Sequence, residues 1–440
     1  MRLPPSTDCQ LHAHMPKLKP FVSSETAPLR QVIVHTPGPE MSLVSPDNRI
    51  ELLFDDVLFE ETAREEHRQL CAVIETVVGH KDAVLQVGEL LLESFQLEDA
   101  RLDFIENLCR IMQERNYQAY ESELKQLSPD ELHRFALTGQ SPTPLRDTFP
   151  SPNLMFTRDL CSVVEDHVIL SYAATEARRR ESILIGTIFR HNQRFVDARD
   201  RLITLPPNVT FEGGDLLVIN EKTVLIGNSE RTSLGGVMTV TRALFERTGV
   251  ERVIVVNLPK KRSCMHLDTV FTFADELQAV VFPRLIRTQA YNVFVFHRGA
   301  EPERFEAEIL PNLPAALEEV FGKPVEFLKC GGEDELDQKR EQWTDGANLF
   351  ALEPGVVLAY ERNHKTFDEL RQNGYRVVDA ESFLSYHRES PYQSGDKLAI
   401  KLVGTELSRG RGGPRCMTMP LRREAVLSFG AKERTKEKRG

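Results

Sequence analysis

Cysteine is sparse and unpaired in this chain: seven residues, an odd number, none of them in a CxxC pair. Such spacing is a poor disulfide framework and a poor zinc site, and it suits a reduced, cytoplasmic compartment. Long apolar runs are missing too. None approaches the roughly 18 residues that a membrane-spanning helix requires. Met1 to Pro20 has no signal core, because prolines, histidines and charges interrupt it. Positive charge is in deficit. With 55 Lys and Arg against 66 Asp and Glu, the net charge is -11. That argues against a general nucleic-acid binder, which must neutralise phosphates, and is no obstacle to a cationic small molecule.

What is present is an ordinary globular composition, 41% hydrophobic and 28% charged over 440 residues, enough for a large core. Residues 1 to 20 read as a loosely attached arm, and 425 to 440 as a flexible basic tail without a role. Order begins at Leu29 to Val34, a strand stopped by Pro37-Gly38. From about Glu60 the pattern turns helical, with Leu70, Val73, Ile74 and Val77, then Leu102, Ile105, Leu108, Cys109 and Met112 at helical spacing. Ser128-Pro129-Asp130-Glu131 opens a further helix with an N-cap serine and a proline at its first position. Beyond Pro144 the chain becomes β-rich and repetitive. Four times a polar turn runs into an apolar strand, a tight turn and a second strand. The turns are Phe156-Thr157-Arg158-Asp159, Glu212-Gly213-Gly214-Asp215, His266-Leu267-Asp268-Thr269 and Asp345-Gly346-Ala347-Asn348. A ββαβ unit cannot bury its faces alone, so the units should pack about a common axis and bring these turns together.

Chemistry concentrates on those turns and on Arg409-Gly410-Arg411-Gly412-Gly413-Pro414-Arg415-Cys416-Met417, a Gly-rich loop ending in a thiol. Flanking guanidinium groups favour the thiolate, so Cys416 is expected to titrate below the ordinary thiol value of about 8.5. The plainer reading is a buried cysteine beside a basic turn. Asp159 is either a surface partner of Arg158 or a carboxylate gripping a guanidinium through paired hydrogen bonds. Asp268 offers a second such carboxylate. The HxD pair of His266 and Asp268 is also a fragment of a metal site, but lacks a further His or Cys at ligand spacing. Beside carboxylates His266 would keep a raised pKa and act as a general acid, with Glu212 orienting it. Arg178 and Arg231 suit bidentate recognition of a carboxylate. A ligand carrying both guanidinium and carboxylate would use both kinds of partner.

Taken together, PNxxFTRD at 152 to 159, EGGD at 212 to 215, GNSERT at 227 to 232, MHLDTVF at 265 to 271 and RGRGGPRCMTMPL at 409 to 421 resemble the bacterial arginine deiminase family. That family belongs to the guanidine-modifying (pentein) superfamily, and the resemblance covers about residues 21 to 424. It implies an α/β fold: a five-fold pseudosymmetric propeller of ββαβ units over 21 to 59 and 144 to 424, with a helical insertion over 60 to 143. It implies hydrolysis of L-arginine to L-citrulline and ammonia, the first step of the arginine deiminase pathway, without metal or cofactor. Cys416 matches the nucleophile, His266 the general acid and base, Asp159 and Asp268 the guanidinium-binding carboxylates, and Glu212 the acidic partner of the histidine. Arg178 and Arg231 match the substrate-carboxylate binders, Asn153 and Leu53 line the amino-acid end, and Arg411 matches a mobile arginine. A cytoplasmic homodimer or higher homo-oligomer is implied, with no nucleic-acid or membrane partner. The segment Tyr386 to Leu402 looks longer than usual and is a candidate cover for the pocket. Two other readings stand beside this one: another guanidine-modifying enzyme, and a non-catalytic arginine-binding module.

Overall fold

A computed structural model of the chain describes residues 16–112, 117–142, 148–287, 293–301 and 304–425. The expected flexible ends therefore lie largely outside the described residues. Leu18, by contrast, is buried and its N–H bonds to the Arg194 carbonyl at 2.7 Å.

The first strand, β1 (Leu29–Val34), is followed by α1 (Glu60–Val78), a short strand β2 (Val84–Gln86) and four helices, α2 (Val87–Phe95), α3 (Glu98–Met112), α4 (Tyr117–Leu124) and α5 (Pro129–Thr138). Their apolar stripe faces inward: Leu70, Val73 and Ile74 of α1 are fully buried. Ser128 accepts the N–H of Glu131 while Glu131 accepts that of Ser128, a reciprocal cap of the kind worth about 1 kcal/mol.

Two ββαβ units come next: β3 (Cys161–Val164), β4 (His167–Leu170), α6 (Glu176–His191) and β5 (Leu202–Ile203), then β6 (Leu216–Asn220), β7 (Thr223–Asn228), α7 (Leu234–Arg247) and β8 (Arg252–Asn257). In each, an antiparallel hairpin is joined by a parallel third strand after the helix. A third unit starts with β9 (Phe271–Asp275) and β10 (Gln278–Val281), and reaches its parallel strand β13 (Glu326–Lys329) through a detour. The detour carries α8 (Arg284–Arg287), the hairpin β11 (Val293–His297) and β12 (Glu306–Leu310), and α9 (Leu313–Phe321). That hairpin joins the sheet of the second unit, beside β8. After α10 (Glu335–Trp343) the fourth unit comprises β14 (Phe350–Glu353), β15 (Val356–Tyr360), α11 (His364–Gln372), β16 (Arg376–Asp379), α12 (Ala380–His387) and β17 (Leu398–Leu402). The last strand, β18 (Met419–Arg423), returns to pair antiparallel with β1. The described strands thus form five mixed sheets. Sheet strands such as Val253 to Val256 are buried on both faces, which is why they read as unbroken apolar runs. Every polar turn named from the repeat stands directly before the first strand of a sheet, and the thiol-bearing loop stands before β18.

Candidate active site

The polar turns meet. Backbone and side-chain bonds link each to the next in a closed ring. The Asp215 carboxylate of the second turn accepts the N–H of Leu267 in the third at 2.9 Å. From the fourth, the Asn348 amide donates to the Asp268 carbonyl at 3.1 Å and accepts the Cys416 N–H at 3.0 Å. The Cys416 carbonyl accepts the N–H of Arg158 in the first turn at 3.0 Å. Arg178, from the first turn of α6, spans the remaining gap by bonding Asp159 at 2.6 Å and Glu212 at 3.4 Å. Close approach here depends on glycine: a Cβ at Gly214 would sit 2.7 Å from Asp159 Oδ1 and 2.8 Å from the His266 ring.

The ring surrounds a small cavity lined by Leu53, Asn153, Asp159, Arg178, Arg231, His266, Arg411 and Cys416, together with Phe156, Arg262 and Met265. Its free interior volume is about 20 Å³, room for about one water. Glu212 stands behind His266, 2.9 Å from Nε2, and Asp159 Oδ1 lies 3.5 Å from Nδ1. Asp268 Oδ2 is 3.9 Å from the Cys416 sulfur. Asn153 donates from its side chain to the Leu52 carbonyl at 2.9 Å, tying the first turn to the segment that carries Leu53. All ten residues singled out from the sequence are therefore in or against one cavity.

Burial alone would strip His266 of its proton, but the carboxylates of Asp159, Glu212 and Asp215 outweigh it and push the ring up to about 9. Burial likewise opposes the Glu212 carboxylate, yet the hydrogen bond from His266 and the charges of Arg231 and Arg178 bring it down to about 2. The pair is an imidazolium held on a carboxylate. Asp268 is raised by burial, against the pull of Arg415, which bonds it at 2.7 Å. Two carboxylate oxygens on the ring, Asp159 Oδ1 and Asp268 Oδ1, are buried without a hydrogen-bond partner. So are all three guanidinium nitrogens of Arg411, which lies 3.5 Å over the ring of Trp343. Leu53 and Arg411 both hold positive φ, at 67° and 64°, a conformation that costs an L-residue energy and clusters at functional sites.

Several expectations need correction. Cys416 does not titrate low: burial first, then the charges of Asp268, Asp159 and Asp345, raise it well above the ordinary thiol value. Two of the three flanking arginines are spent elsewhere, Arg409 on Asp56 and Glu406, Arg415 on Glu25 and Asp268. Asp159 pairs with Arg178 rather than with its neighbour Arg158, which lies 4.0 Å from Glu25. Arg178 faces carboxylates as well as the cavity, with Glu181 at 2.9 Å from its Nε. The segment 386–402 does not cover the pocket; its Ser394 lines a separate groove beside Val218 and Glu25. Sequence reasoning left Asp215, Asn348, Arg415 and Glu181 without roles. All but Glu181 stood inside quoted motifs, and a buried pairing partner carries no signal of its own in one dimension. Asp159, Glu212 and His266 could offer three ligand atoms to a metal within 4.8 Å of one another. Arg178 already brings a cation to both carboxylates.

The model of the arginine deiminase family matches residues 146–423. An arginine deiminase of Listeria welshimeri is 34% identical over 430 residues, spanning 92% of this chain and 98% of that protein. One from Bacillus cereus is 31% identical over 433 residues, with 92% and 98% spanned. Among solved structures, the SxtG amidinotransferase of Microseira wollei superposes with a TM-score of 0.53 at 13% identity, over 93% of this chain and 98% of its own, which shows a shared α/β fold. On the residues of its turns and on the length and level of these matches, the chain belongs to the arginine deiminase family.

Proposed function

We propose that this protein is an arginine deiminase, a hydrolase that converts L-arginine to L-citrulline and ammonia through a covalent amidino-cysteine. The observation that carries the reading is that Asp159 Oδ1 and Asp268 Oδ1 are buried without a hydrogen-bond partner, while the other oxygen of Asp268 lies 3.9 Å from the Cys416 sulfur. Buried carboxylate oxygens without partners cost free energy, and a planar cation with several N–H donors would satisfy both. The names of the similar Listeria and Bacillus proteins support the same substrate.

Arginine enters only if a lining side chain moves. The Arg411 side chain, which rests on the Trp343 ring and makes no hydrogen bond, is the one that swings aside. The incoming guanidinium takes over Asp159 and Asp268. This frees an Arg178 nitrogen to join Arg231, Arg411 and Asn153 at the substrate carboxylate, with Leu53 against the aliphatic chain. The arriving cation also offsets the acidic surroundings that kept the thiol protonated, so the thiol gives its proton to water and the thiolate attacks the guanidinium carbon. His266, charged at neutral pH, gives its proton to a departing nitrogen, and ammonia leaves. The neutral ring then takes a proton from water and hydroxide adds to the amidino carbon; the C–S bond breaks with its electron pair returning to sulfur, and the hydroxyl proton passes to that sulfur as citrulline is released. Alignment at a carbon that is a poor electrophile supplies much of the acceleration.

The same reading includes a five-fold propeller, supported by the five sheets and the closed ring of turns. It treats 60–143 as an insertion between 21–59 and 144–424; the run of helices α2 to α5 supports this, whereas α1 leads into β2, which pairs parallel with β1. It places the enzyme in the cytoplasm as a homodimer or higher homo-oligomer, which sedimentation of the purified protein tests. The six cysteines among the described residues are buried and free, which suits that compartment. The decisive experiment is citrulline formation from L-arginine by wild type and by Cys416→Ala, with agmatine and methylarginine alongside. Wild type should turn over arginine, and a folded Cys416→Ala protein should make no citrulline. Turnover of agmatine in place of arginine would reassign Arg231 and Arg411.

A further inference from the structure

Of the five turns in the ring, the fourth carries no residue that binds substrate or moves a proton in the chemistry above. Asn348 at its end is 0% exposed, deeper than the nucleophile itself at 4%. One amide does two things there. Its oxygen accepts the backbone N–H of Cys416 at 3.0 Å, and its nitrogen donates to the backbone carbonyl of Asp268 at 3.1 Å. The thiol-bearing loop and the guanidinium-binding turn are otherwise joined by the Arg415–Asp268 ion pair and by the 3.9 Å approach of sulfur to carboxylate. The loop is shaped to admit Asn348: a Cβ on Gly413 would lie 2.7 Å from Asn348 Oδ1 and 2.8 Å from its Cβ. Asn348 is held from its own side by an N–H bond to the Asp345 carbonyl at 3.0 Å, where φ of 62° turns the backbone into the left-handed region.

We propose that Asn348 is a positioning residue for the deiminase reaction, fixing the nucleophile and the guanidinium-binding carboxylate relative to each other by bonding the backbone of both. This rests on the arginine deiminase reading for its kinetic consequence but not for its geometry. The side chain type follows from the task. Aspartate accepts the Cys416 N–H but has nothing to donate to the Asp268 carbonyl, and it adds a negative charge beside a thiol already surrounded by carboxylates. Alanine does neither job. Glutamine keeps both functions on a side chain one methylene too long. Asp215 performs the single-sided version of the same task, accepting the Leu267 N–H next to His266.

The test compares Asn348→Ala, Asn348→Asp and wild type in the full chain, each checked for an unchanged melting transition or compared at equal folded fraction. Two readouts are taken. Steady-state kinetics with L-arginine should show kcat lowered by about 10²-fold, the scale of a small misplacement of reacting groups, with KM changed by only a few-fold. Independently of turnover, the pH dependence of Cys416 alkylation by iodoacetamide, located by mass spectrometry, should move upward in Asn348→Asp and fall in rate in Asn348→Ala. A folded Asn348→Ala enzyme with kcat within about threefold of wild type would overturn the proposal. So would alkylation profiles identical in all three proteins. If wild type makes no citrulline but its alkylation profile differs from those of the variants as stated, the substrate reading has failed and the positioning of Cys416 stands.

Discussion

His266 and Glu212 form a buried ion pair 2.9 Å apart at the cavity that Cys416 also lines, and their titration is where pH should act. The imidazolium is stabilised by carboxylates, so its proton is fully present below the ordinary histidine value and is lost as pH rises through about 9. Activity that needs this proton should therefore have an alkaline limb. Glu212→Gln removes one of the negative charges that hold the proton, so the folded pKa falls and the limb in kcat/KM moves to lower pH. An NMR titration of the His266 ring should show the same displacement; a limb that stays in place would remove Glu212 from this role. At this scale the sequence was informative about which residues matter and poor about their surroundings. Asp159, His266 and Cys416 were recognisable from their motifs. The high titration of Cys416 was not, because whether Arg409 and Arg415 point at the sulfur or away from it depends on Asp56, Glu25 and Asp268, which come from distant segments.

Elements act on the site through their ends and through single buried side chains. The clearest case is α1. Its Glu66 carboxylate, 6% exposed, accepts the N–H groups of Glu406 and Leu407 at 3.1 and 2.9 Å and the Thr405 hydroxyl at 2.6 Å. Helix and nucleophile loop are thereby one mechanical piece, although some 340 residues separate them. Glu66→Ala leaves two buried N–H groups without an acceptor, and a loss of roughly 2–4 kcal/mol in unfolding free energy is expected from urea denaturation. A loss under about 0.5 kcal/mol would mean that the loop finds other acceptors. The helical periodicity of α1 and the cap at Ser128 were visible in the sequence because both depend on neighbours three or four residues away. The repeat was visible for the same reason, four units each being contiguous. The remaining sheet escaped it because β1 and β18 are remote in the chain.

At the scale of the whole molecule, that remote pairing joins the first and last described strands in one sheet. Arg423 pairs opposite Leu29, and Arg422 lies beside Phe21. Just inside this seam Arg415, 1% exposed, bonds Glu25 at 3.1 Å, Asp268 at 2.7 Å and the Leu216 carbonyl at 2.9 Å. Glu25→Ala takes one carboxylate from a buried guanidinium, and breaking such a pair costs about 3–5 kcal/mol. The change should lower the melting temperature and also disturb Asp268, so kcat should fall with it; a Glu25→Ala enzyme with wild-type stability would show that Asp268 alone suffices for Arg415. The seam also has a meaning for how the protein is made. On the ribosome β1 emerges long before β18 and the nucleophile, and Val32, Ile33 and Val34 must wait with one strand edge open. Such edges invite pairing with other chains, and contacts between distant segments form slowly. Cells making this enzyme should thus depend on chaperones during its synthesis, and the nascent chain acquires its chemistry only when its two remote strands meet.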